Sequence, residues 1–354
     1  MDFLFWFAVF FVMYVYFGYP LLVALLARFR PARPPQLEEL PSVTLLIAAY
    51  NEEKVIAKKL ENSFALDYPR EKLQILVAAD GSSDSTPEIV RRFQDRGVEL
   101  NHIPERNGKM AAIIRAMPLA RGSIVVFSDA NNMYNEQAIR ELVMPYGDPA
   151  VGATTGAKLI LEDERQLSFA EGFYWKYESW IKENETRLST CTSAVGEMLS
   201  IRKELFRPPT RKIINDDRYT VFGLIRRGYR VYYTPAARSY ETVSKTAKDE
   251  IVRRTRMVAG AYQTVAMAAE LLPLNRPLVL WQVISHKYLR AYVPFGMLLA
   301  LVSNLALVLF SPQGDSFWQL AYPFNLVFLA LQAVFYGLAL FGNFVRLKGP
   351  LGVC

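Results

Sequence analysis

Five short groups of polar residues in this chain have types and spacing suited to chemistry on a phosphorylated, hydroxyl-bearing substrate. In order they are Tyr50-Asn51-Glu52, Asp80-Gly81-Ser82-Ser83-Asp84, Asn107-Gly108-Lys109, Asp129-Ala130-Asn131 and Asn215-Asp216-Asp217-Arg218. A carboxylate can take a proton from an attacking hydroxyl, and a carboxylate beside an amide oxygen suits a hard divalent cation. Lys109 opens a helix-like segment, so its charge would add to the backbone donors and positive dipole end of that helix at an anion seat. Read alone, that lysine is weak evidence, and the Asp216-Asp217-Arg218 run is equally an ordinary helix start with a salt bridge.

The elements around these groups give them a common address. VTLLIAA before Tyr50, QILVAA before Asp80 and SIVVF before Ser128-Asp129 are apolar, strand-like runs, and Val98 to Ile103 is a fourth. Helix-length segments separate them, among them Glu53 to Asn62, Pro87 to Arg96 and Met110 to Met117. Such strands predict an α/β fold with a mostly parallel sheet covered on both faces, in which ligands bind beyond the carboxyl ends of the strands. Glu164 to Arg187 is a further helix whose aromatic stripe (Phe173, Tyr174, Tyr177, Trp180) predicts packing ahead of sugar stacking.

Composition narrows the class. The chain has 354 residues, 52% of them hydrophobic, and 41 basic against 34 acidic residues give a net charge of +7. Phe3 to Ala27 carries no charged side chain and is followed at once by Arg28, Arg30 and Arg33, the reverse of a signal peptide. Ala291 to Phe310 and Phe317 to Val345 are two further apolar runs long enough to span a bilayer. Positive charge gathers on one side, which predicts an outside amino terminus and an inside domain and tail. No nucleic-acid motif accompanies the basic residues. His102 and His286 lack the spacing of a zinc hydrolase, and Cys191 and Cys354 make no disulfide framework.

The expected organisation is therefore a transmembrane helix over residues 1–28, a Pro-rich linker over 29–41 and a cytoplasmic domain over 42–270. An amphipathic interfacial helix at 271–290, spans at 291–311 and 317–345 and a cytoplasmic tail at 346–354, which ends abruptly at Leu351-Gly352-Val353-Cys354, complete it.

The ordered motifs resemble the membrane-bound family 2 glycosyltransferases, which include the cellulose, hyaluronan and chitin synthases. The resemblance runs from about Val43 to Met257. It implies a GT-A, Rossmann-like cytoplasmic domain that transfers a sugar from a nucleotide sugar, expected to be a UDP-sugar, with inversion. It implies donor contacts at Tyr50, Glu52, Asp80, Lys109 and Asp129, with Mg²⁺ or Mn²⁺ at Asp129 and Asn131. Asp217 stands where the family has its catalytic base. Asp216, Arg253, Arg256 and Met257 stand where it contacts acceptor or diphosphate. Two departures accompany the likeness. Asn131 replaces the second carboxylate of the metal motif, and Met257 replaces the tryptophan that polymerising relatives use to hold the acceptor sugar. Three spans are few for extruding a polymer. A lipid-linked or saccharide acceptor at the cytoplasmic face of the plasma (bacterial inner) membrane fits them better, with Lys287 and Arg290 near its headgroup. Alternatives are transfer to a polyprenyl phosphate, a processive synthase working as a homo-oligomer, and a non-catalytic membrane scaffold that binds nucleotide sugars.

Overall fold

The computed structural model describes residues 1–30, 37–163, 166–167, 169–242, 247–310 and 316–344. Residues 31–36 of the Pro-rich linker, the loop 311–315 and the tail with Arg346, Lys348 and Cys354 lie outside the described residues, as do the side chains of Leu167, Ala170 and Phe173.

The described strands are β1 (Val43–Ala49), β2 (Leu73–Asp80), β3 (Val98–Ile103), β4 (Ile124–Asp129), β5 (Met133–Tyr134), β6 (Val151–Asp163), β7 (Gln166–Leu167), β8 (Leu199–Arg202) and β9 (Arg230–Thr242). They form one sheet in the order β3-β2-β1-β4-β8-β6-β9-β5, with β7 paired to β6. The first four strands run parallel, with Val43 opposite Leu73 and Ile124, and β8 then pairs antiparallel with both β4 and β6. The sheet is thus parallel over β1 to β4, as expected, and mixed beyond them. β9 is long because it finds a partner along most of β6.

Alternation along the strands explains why both faces are covered. Leu46, Leu76 and Val125 point to one side, onto Ala112, Ile113 and Phe222 of helices Lys109–Ala116 and Asp216–Arg226. Leu45, Ile47 and Ile75 point to the other, onto Ile56, Leu60 and Ile139. Each such side chain contributes about 1.5–3 kcal/mol by leaving water.

Three helices are long and apolar enough to cross a membrane: Asp2–Ala27, Pro277–Phe310 and Phe324–Phe344. The expected surface helix at 271–290 and span at 291–311 form one continuous helix, Pro277–Phe310. The helix runs on through a π-helical turn at Ile284–Tyr288 and past Pro294, and Gln282, Ser285 and His286 are buried in protein. Their cover comes from Asp2–Ala27 and from helix Phe169–Leu188. Tyr14 Oη lies 2.8 Å from Ser285 Oγ, Glu185 lies 2.8 Å from His286 Nδ1, and Glu178 pairs with Arg290 and, at 3.6 Å, with Lys287. Burial alone would raise the Glu178 carboxyl, but Lys287, Arg290 and His286 hold it well below the usual range. Losing one partner of so buried a pair costs about 3–5 kcal/mol, so the cluster ties the domain to its membrane helices. The aromatic stripe serves the same junction, since Tyr177 donates to Tyr16 O at 2.5 Å and Ile181 is fully buried.

Candidate active site

The sequence-predicted residues gather beyond the carboxyl ends of β1, β2 and β4. Tyr50 follows β1 and is 37% exposed, with the Arg106 guanidinium 3.7 Å from its ring centroid. Asn51 takes a left-handed φ of 54°, which an asparagine tolerates. Its Oδ1 accepts from Ser83 N at 2.8 Å, Glu52 N donates to Thr86 Oγ1 at 2.8 Å, and Glu53 N donates to Asp84 Oδ2 at 3.0 Å. The first two motifs are therefore stitched together by their own backbone amides. Glu52 is half-buried, and burial, with the charges of Asp129 and Asp84, raises its carboxyl to about 7.

Asp80, expected at the donor, is buried and committed to the protein. Its Oδ2 accepts from Asn107 N at 2.8 Å and Gly108 N at 2.6 Å, and its Oδ1 pairs with Arg115 at 3.2 Å. It shapes the loop that delivers Lys109. Gly81 beside it has φ +67°, and a Cβ there would stand 2.6 Å from Arg106 N, so that turn needs a glycine.

Lys109 opens its helix after Gly108, and its Nζ lies 2.5 Å from Asp129 Oδ1. Burial works against its charge, yet Asp129, Asp216 and Glu197 together hold the ammonium well above an ordinary lysine. Asn131 is exposed at the turn after β4. Across from them, Asp216 and Asp217 begin helix Asp216–Arg226, with Gly196 packed so closely that a Cβ on it would sit 3.3 Å from Asp217 Cβ. Burial and then the Asp216 charge raise the Asp217 carboxyl, with Arg218 and Lys109 opposing. Lys109 thus stands between the Asp129 end and the Asp217 end of the site.

Arg253, Arg256 and Met257 lie on helix Ala247–Ala266, which crosses the Asn215 turn: Asn215 Nδ2 donates to Met257 O at 3.2 Å and Ile214 N to Gln263 Oε1 at 2.9 Å. Met257 is 49% exposed beside that turn. A groove of about 600 Å³ lies elsewhere, at the amino ends of the strands among Val43, Leu73, Gly97 and Gly122.

Sequence reasoning missed Lys59. Its side chain is fully buried on helix Ile56–Phe64, where Nζ donates to Asn132 O at 2.7 Å and sits 3.9 Å over the Tyr134 ring. Burial lowers it to about 7, against the pull of Asp129. Asn62, one turn on, exchanges two hydrogen bonds with the Tyr134 backbone, so this helix fixes the whole turn that follows Asp129. The signal was a lysine on the apolar stripe of Ile56 and Leu60.

For a divalent ion the donor set is hard oxygen, the Asp129 carboxylate and the Asn131 amide, and no cluster of three acidic, His or Cys ligands occurs among the described residues. Such a pair fits Mg²⁺ or Mn²⁺ whose remaining ligands come from phosphate and water.

A family model for glycosyl transferase family 2 matches residues 44–208. A probable glycosyltransferase, YdaM of Bacillus subtilis (strain 168), is 25% identical over 287 residues, covering 75% of this chain and 66% of the relative. A poly-beta-1,6-N-acetyl-D-glucosamine synthase of Staphylococcus aureus (strain COL) is 27% identical over 238 residues, covering 65% and 57% respectively. The chain thus spans less than two thirds of the length of each of these relatives. Among solved structures, a mannosyltransferase from Pyrobaculum calidifontis, in complex with GDP-Man and Mn²⁺, superposes with a TM-score of 0.68 at 24% identity over 95% of this chain and 98% of that one, which establishes a shared fold. The chain therefore carries a family 2 glycosyltransferase domain over residues 44–208, on a GT-A-type mixed sheet accompanied by three helices able to span a membrane.

Proposed function

We propose that the chain is a membrane-bound inverting glycosyltransferase that moves a sugar from a nucleotide sugar to a lipid-linked or saccharide acceptor at the cytoplasmic face. The observation that carries this reading is the meeting of Lys109, Asp129, Asp216 and Asp217 at one end of the sheet, an ammonium between a hard-oxygen pair and a carboxyl pair.

A divalent ion bound at Asp129 and Asn131 would neutralise charge that develops on the leaving diphosphate. Lys109, on the same side, adds a fixed positive charge to the same oxygens. Tyr50 offers a ring to the nucleobase at the end of β1, and Glu52 offers acceptor oxygens to the ribose hydroxyls. Asp217, ionised, takes the acceptor proton as the acceptor oxygen bonds to the anomeric carbon and the bond from that carbon to the diphosphate breaks. One displacement inverts the anomeric centre. The Asp217 carboxyl, raised by burial and by Asp216, is a stronger base than a solvent-exposed aspartate, and Arg218 and Lys109 favour its ionised form.

The acceptor side is supported by the junction of the domain with the membrane helices. Arg253, Arg256 and Met257 run past the Asp217 turn towards helix Pro277–Phe310, where Tyr262 Oη donates to Ala291 O at 2.8 Å. The test is nucleoside diphosphate release by the full chain in lipid nanodiscs, over a panel of UDP-sugars and GDP-mannose with Mn²⁺ and membrane lipid extract. Turnover with one donor, abolished in Asp217→Asn, is expected. Donor binding without turnover in every combination would replace this reading with that of a scaffold.

A further inference from the structure

We propose that Lys109 is a built-in counter-ion that holds the place of the divalent cation on Asp129, so that the cation enters only together with the nucleoside diphosphate. The inference rests on the nucleotide-sugar reading above and concerns the order in which the site is assembled.

The argument begins with charge. Asn131 leaves Asp129 as the single anionic oxygen donor of the pair, and that carboxylate is already neutralised by an ammonium 2.5 Å away. Behind the same turn, the buried Lys59 Nζ donates to Asn132 O at 2.7 Å and fixes the backbone that follows Asp129. A free divalent ion approaching Asp129 therefore has to displace an ammonium to gain its first carboxylate ligand. Two carboxylates would have attracted the ion unaided, whereas one paired carboxylate does not.

The geometry lets the lysine leave. Its side chain is 36% exposed, so packing does not lock it, and its unbranched stem can swing about a fixed anchor. The anchor is fixed because Asp80 grips Asn107 N and Gly108 N while Arg115 grips Asp80. Asp216 and Glu197 also act on the ammonium. A diphosphate entering beside the helix that Lys109 opens supplies a stronger anion than Asp129, and it brings oxygens that complete the shell of the metal. The ammonium then moves to the diphosphate and the cation to Asp129. Charge balances in this exchange, with one ion pair broken and two formed, and no proton changes hands.

The consequence is synergy between ligands. Metal alone binds weakly, and metal and nucleoside diphosphate each strengthen the other by the same factor. This spares the enzyme from holding an unliganded cation that would organise water near the donor phosphates.

The experiment is Mn²⁺ binding to the full chain in lipid nanodiscs, read by the EPR signal of free Mn²⁺, with and without UDP or GDP and with no acceptor. For wild type, the nucleotide is expected to tighten Mn²⁺ by about tenfold or more. In Lys109→Gln, Mn²⁺ alone is expected to bind about tenfold tighter than in wild type, while the nucleotide tightens it little. Lys109→Arg, which keeps the charge, should behave like wild type, and Asp129→Asn should lose Mn²⁺ with or without nucleotide. A matched thermal unfolding curve shows that each variant is folded. Lys109→Gln with unchanged or weaker affinity for Mn²⁺ alone would overturn the exchange. Failure of wild type to bind any nucleoside diphosphate, even with Mn²⁺, would instead remove the nucleotide-sugar reading on which the inference rests.

Discussion

Gly260, midway along helix Ala247–Ala266, lies directly against the side-chain amide of Asn215, where a Cβ would stand 2.3 Å from Asn215 Cγ. Asn215 is the residue that enters helix Asp216–Arg226, and its amide donates to Met257 O. The helix bearing Arg253 and Arg256 therefore sets the position of Asp216 and Asp217 through a contact only a glycine permits. Gly260→Ala is expected to rotate the amide away, breaking that bond. Activity should fall by about tenfold through misplacement of Asp217, with a loss of only about 1 kcal/mol in stability. Parallel measurement of kcat and thermal unfolding checks this, and a large loss of stability with unchanged kcat in the folded fraction would refute it.

Lys59 gives a pH signature. Folding lowers its pKa from 10.5 to about 7, so between those values the unfolded chain holds more protons and wild-type stability rises with pH. Lys59→Met lacks that group. The stability of wild type minus that of Lys59→Met should therefore increase from pH 7 to pH 10 by a few kcal/mol, as read from denaturant curves. Activity should drop in the variant even where it is folded, because Asn132 O loses its donor and the turn carrying Asn131 loosens.

Glu52 should tune metal and donor binding. Its carboxyl is raised by burial and by Asp129 and Asp84 to about 7, so it is neutral below that pH and ionised above it. An ionised carboxylate near Asp129 favours a cation, so the joint affinity for Mn²⁺ and nucleoside diphosphate should rise through pH 7. Calorimetry on Glu52→Gln should give a flatter profile over pH 6 to 8, and an unchanged profile would point to another group.

Asp217 should govern the acid limb of the rate profile. With its carboxyl raised by burial and Asp216, the base loses its ionised form at a higher pH than an ordinary aspartate would. The kcat/KM of wild type should therefore fall on the acid side, and Asp217→Asn should cost about 10²–10⁴ in rate. Retention of most activity in Asp217→Asn would indicate an acceptor oxygen that arrives already deprotonated.

Asp80→Asn should weaken donor binding indirectly. An amide oxygen at the Oδ2 position keeps both bonds from Asn107 N and Gly108 N but without the negative charge, and the amide nitrogen at the Oδ1 position loses the ionic bond to Arg115 and turns a donor towards it. A rise in KM for donor of about tenfold with a smaller change in kcat is expected. Proteolysis within residues 104–108 should be faster in the variant.

The sequence by itself determined the sheet half that carries the donor motifs, because apolar runs with polar residues at their carboxyl ends have few other ways to bury both faces. It also determined the membrane helices, whose length and lack of charge dictate their environment. What it could not supply was partnership across long separations. Asp80 holds Asn107 N, Gly108 N and Arg115, partners 27, 28 and 35 positions away that its local sequence does not reveal. The Leu278 to Arg290 stretch read as a surface helix because its polar residues imply water, whereas Glu178 and Glu185 meet His286, Lys287 and Arg290 inside the protein. Lys59 passed unnoticed since its partner lies 73 positions away. Periodicity and local chemistry are properties of neighbours along the chain, while the charge state and reach of each site residue depend on which distant groups the fold sets against it.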